Sequence, residues 1–201
     1  MALLRPIAGE GPVVLRSKTD AAWLPLALAN FDAVLVDHAH CEKKAAANAL
    51  SMLQVYPDVP GLPAQMARLA REESAHLAKV LALMEERGLK LGRDGGDPYA
   101  QSLQTFVRHG HGERRLDRLL IAGIIESRSH ERLALLAEGL ADAKLRRLYA
   151  ELAKSEDGHQ KLFVRLAKNV EEADAVDARL DALLQAEAEL IAKLPVRAAI
   201  H

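Results

Sequence analysis

Apolar residues recur along this chain at spacings of three and four, and no stretch alternates with period two for long enough to need a sheet. The pattern predicts helices punctuated by proline and glycine. Met1 to Lys18, with Pro6, Gly9, Gly11 and Pro12, reads as an irregular lead-in. Thr19-Asp20 caps a short helix that Pro25 interrupts or starts anew. Asn30 caps the first long helix, Phe31 to about Tyr56, and the run Pro57 to Gly61 makes a turn. Pro63 opens the second long helix, which runs to Arg87 with Gly88 past its end. A connection rich in Gly and Asp, Gly88 to Asp97, leads to a shorter helix from Pro98 to about Val107, which His109-Gly110-His111-Gly112 breaks. The third long helix runs from Glu113 to about Glu138, with Gly139 at the turn, and the fourth from about Asp142 to Asn169. A final amphipathic helix, Glu172 to about Leu194, is stopped by Pro195. The expected fold is all-α: a four-helix bundle over about residues 30–169 with a long crossover and additional short and C-terminal helices, forming one domain over 1–201.

Four glutamates interrupt the apolar stripes of the long helices. Around Glu73 the residues three and four positions away are Leu69, Ala70, His76 and Leu77; around Glu156 they are Leu152, Ala153, His159 and Gln160. Glu126 has Ala122, Gly123, Ser129 and His130, and Glu42 has His38, Ala39, Ala45 and Ala46. All four carboxylates therefore face the bundle core. Glu72, Lys79, Glu85 and Arg87 fall on other faces and read as solvent positions.

Two of these glutamates belong to Glu-x-x-His pairs, Glu73/His76 and Glu156/His159, which put a carboxylate and an imidazole on one helical face. Each pair has a lone core glutamate upstream, 31 residues before Glu73 and 30 before Glu156, so the chain reads as two similar hairpins. Buried, unpaired carboxylates are costly and repel one another, and two divalent cations remove the problem. Helices supplying Glu, Glu-x-x-His, Glu and Glu-x-x-His match the ligand set of a ferritin-like carboxylate-bridged two-metal site. Glu42, Glu73, His76, Glu126, Glu156 and His159 are its candidate ligands. Four carboxylates and two imidazoles suit iron, or less well manganese, and leave positions open for water or dioxygen. His76 and His159 each need an acceptor for the second ring nitrogen, which the sequence does not identify. His38, one turn before Glu42, and His130, one turn after Glu126, lie on the inner face and read as satisfied core histidines ahead of supports for the ligands, and Tyr149 as core packing ahead of a redox tyrosine.

Composition narrows the alternatives. Half the residues are apolar and the formal net charge is −1, so no global positive field advertises nucleic acid. Arg114, Arg115 and Arg118 form a local basic cluster able to meet phosphates, or simply a solvated face. Cys41 is the single cysteine, which excludes an internal disulfide and a cysteine-only iron–sulfur cluster. No secretory leader or membrane-spanning run is recognisable, so a cytoplasmic location without membrane partners is expected. No Gly-x-Gly-x-x-Gly fingerprint is present, so any electrons for a redox reaction come from a separate reductase.

The residues around the ligand pattern are distinctive. Asp37-His38-Ala39-His40-Cys41-Glu42-Lys43-Lys44, Glu72-Glu73-Ser74-Ala75-His76, Ile125-Glu126-Ser127-Arg128-Ser129-His130-Glu131-Arg132 and Ser155-Glu156-Asp157-Gly158-His159 follow in that order. Together, over about Ala22 to Asn169, they closely resemble the bacterial tRNA 2-methylthio-isopentenyladenosine hydroxylase family, MiaE. Ferritins, rubrerythrins and manganese catalases lack these flanking segments. The resemblance implies a non-haem di-iron monooxygenase with the six residues as iron ligands. It further implies dioxygen as co-substrate, the prenylated adenosine next to the anticodon of tRNA as substrate, and an external electron donor. Iron storage or detoxification, or peroxide handling at a two-metal site, are the alternatives that the ligand pattern alone leaves open.

Overall fold

The computed structural model describes residues 13–201; the part of the expected lead-in up to residue 12 lies outside the described residues. Every regular element among them is a helix: α1 (Trp23–Ala29), α2 (Phe31–Val55), α3 (Leu62–Glu86), α4 (Pro98–Gln104), α5 (His111–Gly139), α6 (Ala143–Lys168) and α7 (Ala173–Ile191). Helices α2 and α3 pack as one antiparallel hairpin and α5 and α6 as the other. Arg87, at the end of α3, reaches back to Asp32 at the start of α2. Tyr56, at the end of α2, meets His111 at the start of α5. The connection from α3 to α5 must therefore run the length of the bundle, about 37 Å for a helix of this size, and α4 lies within it. This is the expected four-helix bundle with a long crossover.

Local chemistry explains the element ends, including several that differ from expectation; α1 starts after Ala22 without a side-chain cap, Asp20 Oδ1 accepting from Ala22 N instead. Helix α3 stops in a Schellman arrangement: Gly88 at φ 68° lets its own N–H reach Glu85 O and that of Leu89 reach Met84 O. Asp142 caps α6 by accepting from Leu145 N, and Asp97 caps α4 by accepting from Ala100 N. Asn30, in contrast, does not cap α2; its side-chain amide donates to Leu26 O and closes α1 instead. Pro25 neither breaks nor restarts α1, because it is the third helical residue, where an N–H has no intrahelical partner anyway. Helix α5 begins at His111, so Gly112 lies inside its first turn and α4 ends earlier than the apolar pattern suggested.

The outer elements are fastened by buried charge as well as apolar packing. Helix α7 turns Val176, Leu183 and Leu184 inward, and also Glu187, which is fully buried. Its Oε1 accepts from Arg128 Nη2 of α5 at 2.7 Å and from the Tyr99 hydroxyl of α4 at 3.0 Å. Arg128 and Arg132 are thus core residues despite their charge. Asp117, also buried, accepts from Arg108 and Arg179 and ties α7 and the α4–α5 link to α5.

Candidate metal centre

Midway along the bundle, α2, α3, α5 and α6 each project a buried glutamate inward, and α3 and α6 add His76 and His159 one turn later. The six residues converge as two groups of four, within each of which the donor atoms all lie within 4.8 Å of one another. One group is Glu42, Glu73, His76 and Glu156; the other is Glu73, Glu126, Glu156 and His159. Glu73 and Glu156 belong to both. Two overlapping quartets that share two carboxylates are the donor pattern of two cations bridged by those carboxylates. Close approach of α5 and α6 at Gly123 helps to set this distance: a Cβ there would sit 3.4 Å from Phe163 Cβ and 3.5 Å from Gln160 O.

The electrostatics fit a cation pair. Among the described residues no lysine or arginine answers the four carboxylates, so protons carry the compensating charge. Burial pushes Glu126 well above the usual carboxylate range, and the nearby Glu156 and Glu73 charges push it further. Burial works against the charged imidazoles, yet Glu42 and Glu73 raise His76 to about 10. In the same way Glu156 and Glu73 raise His159 to about 12. Burial also raises Glu42, but the hydrogen-bonded His38 and the neighbouring His76 imidazole overcome it and hold the group at about 2. Hydrogen bonding remains incomplete. His76 Nδ1 lies 3.5–3.7 Å from Glu73, Glu42 and Glu156 and has no hydrogen-bond partner among the described residues. Glu73 Oε1 is 2.9 Å from His159 Nδ1 but lacks hydrogen-bond geometry, and is likewise unsatisfied. Unsatisfied buried polar atoms within a carboxylate–imidazole cluster fit residues that could hold cations.

Residues beyond the six refine the sequence reading. Glu72 is half-exposed, as its helical face implies, yet its Oε2 lies 3.2 Å from His159 Nε2 and supplies the acceptor that the second ring nitrogen needs. His38 is not an ordinary core histidine: its Nε2 is 2.7 Å from Glu42 Oε1, and its Nδ1 is 3.4 Å from the buried Tyr149 hydroxyl. The four-residue spacing of His38 and Glu42 on one helical face was the available signal. His130 bonds the Ala153 carbonyl at 2.7 Å, in keeping with a structural role. His40 bonds the Leu91 carbonyl at 3.1 Å and so pins the crossover to α2.

A cavity of about 180 Å³ opens onto this cluster between α2 and α5, whose backbones do not approach as those within each hairpin do. Glu42 and Glu126 form part of its floor, Ala45, Ala122 and Ile125 its sides, and Lys44, Asn48 and Gln104 reach its polar margin. Cys41, Asp97 and His201 gather on its wall, where Lys44 Nζ lies 3.6 Å from Asp97 and already supplies positive charge. Of the three candidate phosphate-binding arginines, Arg114 is exposed. Arg118 donates to Asn48 Oδ1 and Ser51 Oγ of α2 and covers the Tyr56 ring, so it stands beside the cavity margin. Arg115 is turned toward Val170 O and Glu171.

Known proteins share this architecture. Residues 9–201 match the family model described as tRNA-(MS2IO6A)-hydroxylase (MiaE). A Pseudomonas putida protein named tRNA 2-(methylsulfanyl)-N(6)-isopentenyladenosine(37) hydroxylase is 39% identical over 173 residues, covering 86% of this chain and 84% of its own. A Salmonella typhimurium protein of the same name is 26% identical over 226 aligned positions, covering 88% of this chain and 83% of its own. Among solved structures, a Synechococcus protein described as having aldehyde deformylating oxygenase activity superposes with a TM-score of 0.88 at 39% identity. That match covers 93% of this chain and 94% of the other. The bundle is thus ferritin-like.

Proposed function

This chain belongs to the MiaE family of tRNA hydroxylases, and from that premise we propose that it is a di-iron monooxygenase acting on the isopentenyl side chain of 2-methylthio-isopentenyladenosine next to the anticodon. The observation that carries the reading is the pair of buried quartets sharing Glu73 and Glu156 at the floor of an apolar-sided cavity. In the proposal Glu42, Glu73, His76, Glu126, Glu156 and His159 would hold the iron pair, with Glu73 and Glu156 common to both quartets. The overall reaction inserts one oxygen atom of dioxygen into a C–H bond. The second atom leaves as water, with two protons and with two electrons from a separate reductase.

A bound iron pair supplies dioxygen reduction and the oxidising strength that a C–H bond of this kind demands. The chain supplies position and environment. Glu72 keeps His159 turned so that Nδ1 faces the carboxylates, and His38 fixes Glu42. Ala45, Ala122 and Ile125 offer the prenyl chain an apolar passage that excludes water. Lys44, Asn48 and Gln104 remain at the margin for the polar base. Arg118 and Arg114 are the proposed phosphate contacts beside that margin, with Arg115 contributing once freed from Glu171. Among the described residues no helix is long and apolar enough to cross a membrane.

The test combines metal analysis with turnover. Protein is loaded with iron and supplied with chemical reductant, dioxygen and tRNA bearing the methylthio-prenyl adenosine, and the nucleosides are read by mass. Two irons per chain and a single added oxygen support the proposal. Two irons without product, despite a competent electron supply, would move the function to iron storage or another substrate. Failure to take up metal would overturn it at the root.

A further inference from the structure

The segment after α7 folds back over the bundle and becomes a wall of the cavity. Its backbone is held on several sides. Trp23 Nε1 donates to Ala199 O at 2.9 Å, Arg132 Nη1 donates to Ile200 O at 3.2 Å, and Ile200 N donates to Asp37 Oδ2 at 2.6 Å. The His201 ring bonds Ser129 Oγ at 2.8 Å and Asp97 Oδ2 at 3.0 Å and stacks on Tyr99 with centroids 5.5 Å apart. Trp23 belongs to α1, and the other anchors belong to α2, α5 and the start of α4, which line the cavity. Ile200 is almost wholly buried, and its side chain and the His201 ring line the same space as Glu42, Glu126 and Leu133.

We propose that Ile200 and His201 are specificity-determining residues that set the depth of this cavity and thereby choose which carbon of the side chain is hydroxylated. The inference rests on the hydroxylase reading above. The two terminal methyl groups of an isopentenyl chain are bonded to the same carbon, and both are allylic. Their C–H bonds are therefore nearly alike in strength, and an oxidant able to break one can break the other. Selection between them must come from shape, as discrimination in apolar pockets generally does. The rigid wall beside Glu42 and Glu126 is the place where such a shape is imposed. A hydrogen-bonded, stacked segment suits that task because a wall that moved by an ångström would lose its selectivity.

Ile200→Ala, Ile200→Val, Ile200→Phe and His201→Gln are compared with the unsubstituted chain on prenylated tRNA. Hydroxylated isomers are resolved by chromatography, and oxygen consumed per product, kcat, KM, metal content and melting temperature are measured together. Ile200→Ala is expected to lower kcat/KM by roughly tenfold to a hundredfold, to yield the second isomer and to consume more oxygen per product, with metal content unchanged. Ile200→Phe fills the space and raises KM. Ile200→Val removes a single methyl group at little cost to folding, so it carries the isomer test even if the larger changes prevent folding. An isomer ratio and oxygen coupling identical to the unsubstituted chain in every folded variant would reduce these residues to packing and overturn the inference. If the iron-loaded unsubstituted chain makes no product, the hydroxylase reading itself fails and the inference with it, a result read in a separate arm.

Discussion

Glu126→Gln preserves side-chain shape and removes one titratable charge from the buried cluster, so its effect must change sign with metal. Without metal, burial and the Glu156 and Glu73 carboxylates hold Glu126 well above its ordinary value of 4.5. The folded chain then keeps a proton that the unfolded chain has released, and stability falls as pH rises from the unfolded value through the folded one. Each pH unit crossed in that interval costs about 1.4 kcal/mol. Glutamine carries no such cost, and neutral replacement of buried charge is commonly neutral or stabilising by up to about 4 kcal/mol. The metal-free variant at pH 8 should therefore melt at or above the parent, by about 2–4 °C per kcal/mol for a chain of this size. With metal at a hundredfold excess over its dissociation constant, each site adds about 2.7 kcal/mol to the parent. The variant loses an anionic ligand from one quartet and should gain half of that total or less. Calorimetric melting in chelator and in excess Mn²⁺ tests the inversion. A variant destabilised equally in both would refute the reasoning, because Glu126 would then be an ordinary hydrogen-bonded core residue.

Further outcomes follow from the same geometry. Because His76 and His159 are held at about 10 and about 12 without metal, metal must displace protons at neutral pH and binding should tighten as pH rises; titration calorimetry at pH 7 in buffers of different ionisation enthalpy should show buffer-dependent heats, and equal heats would contradict it. Glu72→Gln should weaken metal binding about 10- to 100-fold by loosening His159, with the fold intact by circular dichroism; unchanged affinity would leave Glu72 a surface residue. Arg128→Met leaves Glu187 buried without its cation and should cost about 3–5 kcal/mol, read by urea unfolding, whereas a loss under 1 kcal/mol would mean that α7 is held by apolar packing alone.

The six cluster residues are legible in the sequence because two simple regularities coincide in them. Glu-x-x-His is a local spacing, and burial can be judged from neighbours three and four residues away, which are fixed by helix geometry. Relationships that depend on how helices meet were not legible. Glu72 reaches His159 across 87 residues of chain, and Arg128 reaches Glu187 across 59. Glu72 reads as a solvent position until a facing helix is in place, and nothing beside Arg128 in sequence marks it as buried. Arg128 shows the physical reason: a charged residue enters a core only when a partner elsewhere compensates it, and that partner leaves no mark in the local pattern. Asn30 failed differently, since two helices abut there and its amide serves the end of one rather than the start of the next.

The two hairpins do not each own one half of the centre. The first quartet draws Glu42, Glu73 and His76 from α2–α3 but needs Glu156 from α6. The second draws Glu126, Glu156 and His159 from α5–α6 but needs Glu73 from α3. Within a hairpin the helices pack along their length, whereas α3 and α6 meet only over a short stretch and α2 and α5 stand apart around the cavity. Cations held between the shared carboxylates would therefore close the seam where direct packing is weakest. A bundle packed tightly there would need no such closure, but it would have no room for a substrate beside the metals. The buried like charges are thus the structural cost of a cavity that opens directly onto the carboxylate cluster.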